Sequence, residues 1–236
     1  MNIVVTSEVL VNQIRRDALL IAESFDELCD DDLQELSALY SEASAILVVA
    51  FRNLDSCSPV QAWAAQVLMN VGGSISAAAL ILRSGYTLVP GVVLRNSVEA
   101  MAVCLHGLQR PSDLENIKAG SFNTPKAINT AKQVLPPFGH LNGLLSNGFT
   151  HISPLHQEVK PLVPFKNRKE PGLQLNLAML RSVVWVFYAV CEFAFINFVH
   201  GSTRYWKVKS KNEAQYCPSE QELEWMKDFL EKDFFD

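Results

Sequence analysis

Residues 173–199 read LQLNLAMLRSVVWVFYAVCEFAFINFV, a helix-length run with no polar face. A helix that is apolar all round has to be enclosed, either by lipid or by other helices. Arg181 and Glu192 lie inside the run, and each would cost about 2.5–3.5 kcal/mol near the centre of a bilayer. The run is therefore expected as the buried centre of a soluble helical bundle, not as a membrane span. Residues 59–84, which contain VLMNVGGSISAAALIL, have the same all-round apolar character. The small side chains of GGSISAAA predict the close approach of a neighbouring helix. The Gly72-Gly73 pair weakens that helix by about 1 kcal/mol per glycine relative to alanine.

The punctuation between these runs is helical. Ser58-Pro59-Val60-Gln61 combines a capping Ser, a Pro at the first helical position and a Gln at the third, a strong start signal. Ser112-Asp113-Leu114-Glu115 and Ser219-Glu220-Gln221-Glu222, each behind a proline, read as two further capping boxes. Asp30-Asp31-Asp32 with Glu35 predicts an acidic helix start after a first helix that ends near Cys29. Segments are expected near 7–28, 32–54, 59–84, 88–109, 112–133, 138–150, 172–200 and 219–232. Ile3-Val4-Val5 is the only strand signal, and residues 153–171, with four prolines, read as a long surface loop. The expected architecture is all-α, a single-domain bundle of about seven to eight helices spanning residues 1–236. Acidic N-terminal helices at 7–54 and a C-terminal helix at 219–232 flank a core bundle at about 59–200.

A chain of 236 residues, 49% hydrophobic with 13 Phe, can fill one such core. The net charge of −5 hides a segregation: residues 1–55 hold 3 Lys/Arg against 11 Asp/Glu, residues 56–217 hold 15 against 7, and residues 218–236 hold 2 against 7. A basic middle between acidic ends fits either a polyanion-binding centre or surfaces that neutralise one another. The cysteines at 29, 57, 104, 191 and 217 are odd in number and show no metal-ligand spacing. Cys104 and Cys191 sit in apolar stretches, where a thiol acts as a small hydrophobe. With no basic-then-apolar leader at the start of the chain, these features predict a cytoplasmic protein.

Polar groups inside the apolar helices are the candidate chemistry. Arg95, Glu99 and His106 fall within about 40° of one another on one helix face. Apolar neighbours on both sides predict that they are half-buried, and buried charges need partners. Arg181, Trp185, Tyr188 and Glu192 form a similar line on the central helix, so the two lines are expected to face each other as one ion-pair network. His151 stands at the end of a short helix and His156 in the loop behind it. Their five-residue spacing across a proline is poor for a metal, and neither a metal nor another cofactor is expected.

The turn Gly85-Tyr86, then LRNSVEA on one helix and LSNGFTHIS on a later short one, resembles a group of bacterial all-α proteins related to the HEPN superfamily. Ribonucleases of that superfamily share an Arg, a following polar residue and a His four to six residues on. Here Asn147 and His151 match the polar residue and the His, while Ser146 stands at the Arg position. The resemblance implies a HEPN-like core in which His151 moves a ribose proton, Asn147 positions it and a cation holds the phosphate. Serine carries no such charge, so Arg95 is expected to replace it from another helix.

Lys166, Arg168 and Lys169 in the proline-rich loop, then Arg204, Tyr205 and Trp206, interleave cations with aromatics as a single-stranded RNA surface would. Three readings follow. The resemblance implies a non-catalytic module that binds nucleotide, RNA or a partner protein in bacterial stress or defence. Its alternative is a metal-independent endoribonuclease using His151. The residues alone also allow a helical scaffold whose ion pairs fix helix register. Homodimerisation through apolar helices is a subsidiary hypothesis of the first.

Overall fold

The computed structural model describes residues 7–157, 162–199, 203–210 and 213–224. A short helix α1 (Val9–Asn12) passes through a π-helical turn at Gln13–Asp17 into α2 (Ala18–Arg52). The break expected near Cys29 is a kink: Cys29 adopts φ −125° and ψ 15° inside an otherwise unbroken helix. Helix α3 (Pro59–Arg83) begins at the expected capping box, in which the Gln61 N–H donates to Ser58 Oγ at 3.3 Å and the Ser58 N–H donates to Gln61 Oε1 at 3.1 Å. It ends at Gly85, whose φ of +91° a Cβ would strain. Helix α4 (Val89–Gln109) follows.

The box expected at Ser112 does not form. Residues Pro111–Asp113 make a 3-10 turn without a side-chain cap on the short α5 (Leu114–Lys118), because Asp113 is engaged elsewhere. Helices α6 (Thr124–Val134) and α7 (Pro137–Leu145) come next, and α7 runs on into a π turn at Ser146–Thr150. After α8 (Pro154–Gln157), residues 162–170 are strapped to α2: Phe165 is buried against Phe25, and its N–H donates to Ser24 Oγ at 2.9 Å.

The central helix is α9 (Pro171–Ala194), packed by α2, α3, α4 and α7. From Leu173 to Ala194 all but Gln174, Arg181 and Phe193 are buried. Helices α3 and α9 are both long and apolar enough to cross a membrane, yet 89% of the apolar window of α9 is buried within the bundle itself. At Gly72 a Cβ would lie 3.0 Å from Tyr40 Oη of α2 and 3.5 Å from the Phe187 ring of α9, which is the close approach expected of GGSISAAA. Gly73 meets nothing within 4 Å.

The fold is thus an all-α bundle with one small addition. Strands β1 (Trp206–Ser210) and β2 (Glu213–Tyr216) pair antiparallel, Trp206 opposite Tyr216, with an irregularity between Val208 and Ser210. This hairpin stands where a basic, nucleic-acid-facing run was expected. Helical residues then start at 220, and their expected cap forms: the Glu222 N–H donates to Ser219 Oγ at 3.2 Å and the Ser219 N–H donates to Glu222 Oε2 at 2.9 Å. Ile3-Val4-Val5 and the C-terminal helix beyond residue 224 lie outside the described residues.

The π turn is seated on α4 through one glycine. A Cβ on Gly91 would fall 2.1 Å from the Phe149 ring, which is itself buried. Gly91→Ala is expected to lower stability by about 1–3 kcal/mol through overpacking, read by urea unfolding, with Phe149→Leu in the same chain restoring part of the loss. Strict additivity of the two substitutions would show that these positions do not meet.

Candidate functional site

Arg95 joins two of the sequence motifs. Its Nη2 lies 2.7 Å from Glu99 Oε1 one turn along α4, and its Nε–H donates to Ser146 Oγ at 2.9 Å across to the π turn, 51 positions away in the chain. The side chains of Arg95 and Glu99 are 28% and 25% exposed, the half-burial expected of them. The guanidinium of α4 thus meets the side chain of Ser146 at the start of the π turn. The π turn brings His151 to the same element: its N–H donates to the Ser146 carbonyl oxygen at 2.9 Å. Asn147 and His151 are both exposed. His156 serves the start of α8, with Nδ1 accepting from the Ser153 N–H at 3.2 Å, while Ser153 Oγ donates to the Gly148 carbonyl at 2.7 Å.

His106 leaves this group. It is fully buried, with Nε2 at 2.9 Å from Asp113 Oδ2 and Nδ1 at 2.8 Å from Thr130 Oγ1. The Lys126 ammonium donates to the same Asp113 oxygen at 3.0 Å, and the Phe122 ring lies 4.6 Å from the imidazole. A carboxylate, an imidazole and a hydroxyl in line resemble a nucleophile relay in outline. The imidazole has no exposed surface, however, so the line works as a strut that ties α4 to the 3-10 turn and α6.

The two polar lines do not face each other, which corrects the network expected between them. Arg181 turns to α2, donating from Nη2 to Asp32 Oδ1 and to Glu35 Oε2, both at 2.6 Å. Asp32 is 1% exposed and also accepts from Arg168 Nη2 at 2.6 Å, so two guanidiniums compensate one buried carboxylate. Glu192, fully buried, accepts from the backbone N–H groups of Arg204 at 2.5 Å and Tyr205 at 2.7 Å. Burial holds its carboxyl above the usual range, and those two N–H donors act against the rise. Arg181 and Glu192 are 11 residues apart, about 16 Å along a helix axis, so one partner element cannot serve both.

Burial also corrects part of the expected RNA surface. Tyr205 and Trp206 are 0% and 3% exposed, and Trp206 Nε1 donates to the Ala189 carbonyl at 2.7 Å, so neither ring is presented to a base. Tyr205 packs edge-on against Trp185 and Tyr188, and the Arg204 guanidinium lies 5.4 Å from the Tyr205 ring. Arg204 also donates to Glu222 at 2.9 Å and meets Glu42 at 3.4 Å. Arg168 is taken by Asp32, while Lys166 and Lys169 are exposed. Burial raises the Tyr188 phenol to about 12 and the Cys29 thiol to about 11, so neither ionises near neutrality. Among the described residues no three His, Cys, Asp or Glu side chains gather as a metal-binding group.

A cavity of about 570 Å³ lies between α2, α9, the residues leading into β1 and the capped turn at Ser219, with Leu36, Leu39, Trp185 and Tyr205 in its walls. No isolated motif pointed to it, because its lining comes from four separate stretches of chain. Ser146 as the partner of Arg95, and Asp113 and Thr130 as partners of His106, escaped sequence reasoning for the same reason. The chain matches no protein-family model, no curated protein and no solved structure.

The His106 strut makes a pH-dependent contribution. Hydrogen bonding from His106 first, then from Lys126, holds the Asp113 carboxyl below its usual value. A depressed carboxyl contributes stability that is present above its unfolded pKa of about 3.9 and is lost as pH falls through the lower folded value. Urea midpoints followed from about pH 5 to pH 2 are expected to fall less steeply in Asp113→Asn than in the unsubstituted protein. Equal slopes would mean that this carboxylate is not linked to folding.

Proposed function

We propose that the chain is a cytoplasmic, HEPN-like helical module that binds single-stranded RNA at the Arg95–Ser146–His151 group without cleaving it. The observation that carries this reading is the 2.9 Å bond from Arg95 Nε to Ser146 Oγ, which brings a guanidinium to the side chain that stands at the Arg position of the resembling motif in sequence. Two contacts, to Ser146 and Glu99, occupy two of the guanidinium's five N–H donors. A backbone phosphate takes the others, and the exposed Asn147 and His151 extend the contact along the strand. Turnover is disfavoured because Glu99, at 2.7 Å, already neutralises the cation that a phosphorane-like transition state requires. Exposed Lys166 and Lys169 add sequence-independent attraction to the strand.

A second reading, the metal-independent endoribonuclease, is favoured by the same Arg95–Ser146 contact, since it brings a cation to the turn that His151, the general base implied by the resemblance, closes through its backbone N–H. One experiment separates the two. Fluorescein-labelled oligoribonucleotides are titrated with protein in chelator, binding is read by anisotropy and the RNA is then run on a denaturing gel. Arg95→Ala is expected to weaken binding about tenfold, the scale of one charge-assisted hydrogen bond, and Arg95→Lys is expected not to restore it, while the RNA stays intact. Cleavage that disappears in His151→Ala would establish the endoribonuclease instead. Absence of any binding would remove both.

A further inference from the structure

We propose that the outward face of α3 is the contact through which two copies of this chain associate. From Pro59 to Leu82 the helix carries no charged residue, and it is long and apolar enough to cross a membrane, yet only 39% of its apolar window is buried, against 89% in α9. Its exposed face runs through Gln66, Met69, Gly73, Ala77 and Leu80, with Met69 47% and Leu80 59% exposed. These positions fall within about 80° of one another around the helix. Helix α4 runs back alongside α3, with Gly107 against Trp63 and Val60, and its exposed Val89 and Val92 extend the uncharged surface at the Leu80 end. The glycine at the centre of the face serves nothing inside the chain. Gly72 admits Tyr40 and Phe187, whereas a Cβ on Gly73 would meet nothing within 4 Å, although glycine weakens a helix interior.

Charge and side-chain size identify the occupant. Each copy has a net charge of −5, so an uncharged face is where two copies meet with least repulsion. About a two-fold axis level with Ile75, Gly73 of one copy lies opposite Ala77 of the second, and Met69 opposite Leu80 of the second. Small residues then meet at the crossing and larger apolar ones on either side of it, the self-complementarity that an isologous interface requires. A lipid surface is not the match. Helices that lie in a membrane interface carry Lys or Arg along their polar edge, and here residues 59–82 have none, while Gln66 and Asn70 sit within the exposed face. The span from Gln66 to Leu80 is about 21 Å, so one such face per copy buries no more than the roughly 1,200 Å² in total that bounds weak, transient interfaces. The association is therefore micromolar. The face includes no residue of the Arg95 group and does not depend on RNA binding there.

The test is sedimentation velocity of the full chain from about 5 to about 200 µM, with Kd expected between about 1 and about 100 µM. The weight-average mass is expected to rise with concentration from 26.3 kDa toward twice that value. Ala77→Arg places a guanidinium on each side of the two-fold axis and is expected to hold the chain at the monomer mass throughout. Gly73→Leu fills the crossing point and is expected to raise Kd at least about tenfold. Its urea midpoint at low concentration, where both proteins are monomers, is expected to be no lower than that of the unsubstituted chain, because leucine favours a helix. This second variant decides the matter if Ala77→Arg does not fold. A monomer at every concentration, or a dimer whose Kd is unchanged in the folded variants, would overturn the proposal. Flotation of the chain with phosphatidylcholine vesicles that Ala77→Arg abolishes would also overturn it, by assigning the face to lipid.

Discussion

Enclosing α9 is the constraint from which the rest of the bundle follows. A helix buried on every side offers hydrophobic area in all directions, but it also forces every polar side chain it carries to find a partner inside the protein. Arg181 and Glu192 meet that demand in different ways. Arg181 reaches sideways to the carboxylates of α2, and this sets the rotation of α2 about its axis: Asp32, just beyond the kink at Cys29, must point inward. Glu192 instead captures two backbone N–H groups of the chain that follows the helix. That capture folds residues 204–205 back onto α9, buries Tyr205 and Trp206 and so determines where the hairpin starts. One ionic side chain positions the preceding helix and the other positions the following strand.

Helical character, the capping boxes at Ser58 and Ser219, the central place of α9 and the half-burial of Arg95 and Glu99 were all legible, because each depends on residues within a few turns of one another. Partner choice was not. The line of Arg95, Glu99 and His106 is real as geometry on α4, yet Arg95 meets Ser146 and His106 meets Asp113 and Thr130. A helical stripe says which residues share a face, and about 16 Å of helix separates Arg95 from His106, so the two ends of one stripe look onto different elements. The same holds for Arg181 and Glu192. The hairpin was missed for another reason. Trp206-Lys207-Val208-Lys209 alternates apolar and charged residues with a period of two, a strand signal that a composition-based reading as a basic cluster overlooked.

Charge segregation along the chain also finds a physical meaning. The acidic N-terminal segment and the basic middle meet directly: Asp32 and Glu35 take Arg168 and Arg181, Asp26 takes Arg83 at 2.6 Å, and Glu42 faces Arg204 at 3.4 Å. Four of the middle section's arginines are therefore engaged by α2. A polyanion approaching the bundle meets a field much weaker than the count of basic residues implies, carried by exposed lysines such as Lys166, Lys169, Lys207 and Lys209.

The half-buried setting of Arg95 decides what chemistry its corner of the bundle can support. A guanidinium on α4 reaches the π turn only if the two elements lie in close contact, and Gly91 is what permits that contact, since any larger residue would strike the Phe149 ring. The gain is a cation fixed by packing, not borne on an exposed turn. The cost is Glu99, one turn away on the same helix, which must be there to compensate a charge 28% exposed. A cation so compensated can still orient a phosphate by directed hydrogen bonds, but it offers little net charge to a reaction that builds negative charge on that phosphate. Recognition by geometry survives such an arrangement more readily than catalysis by electrostatics.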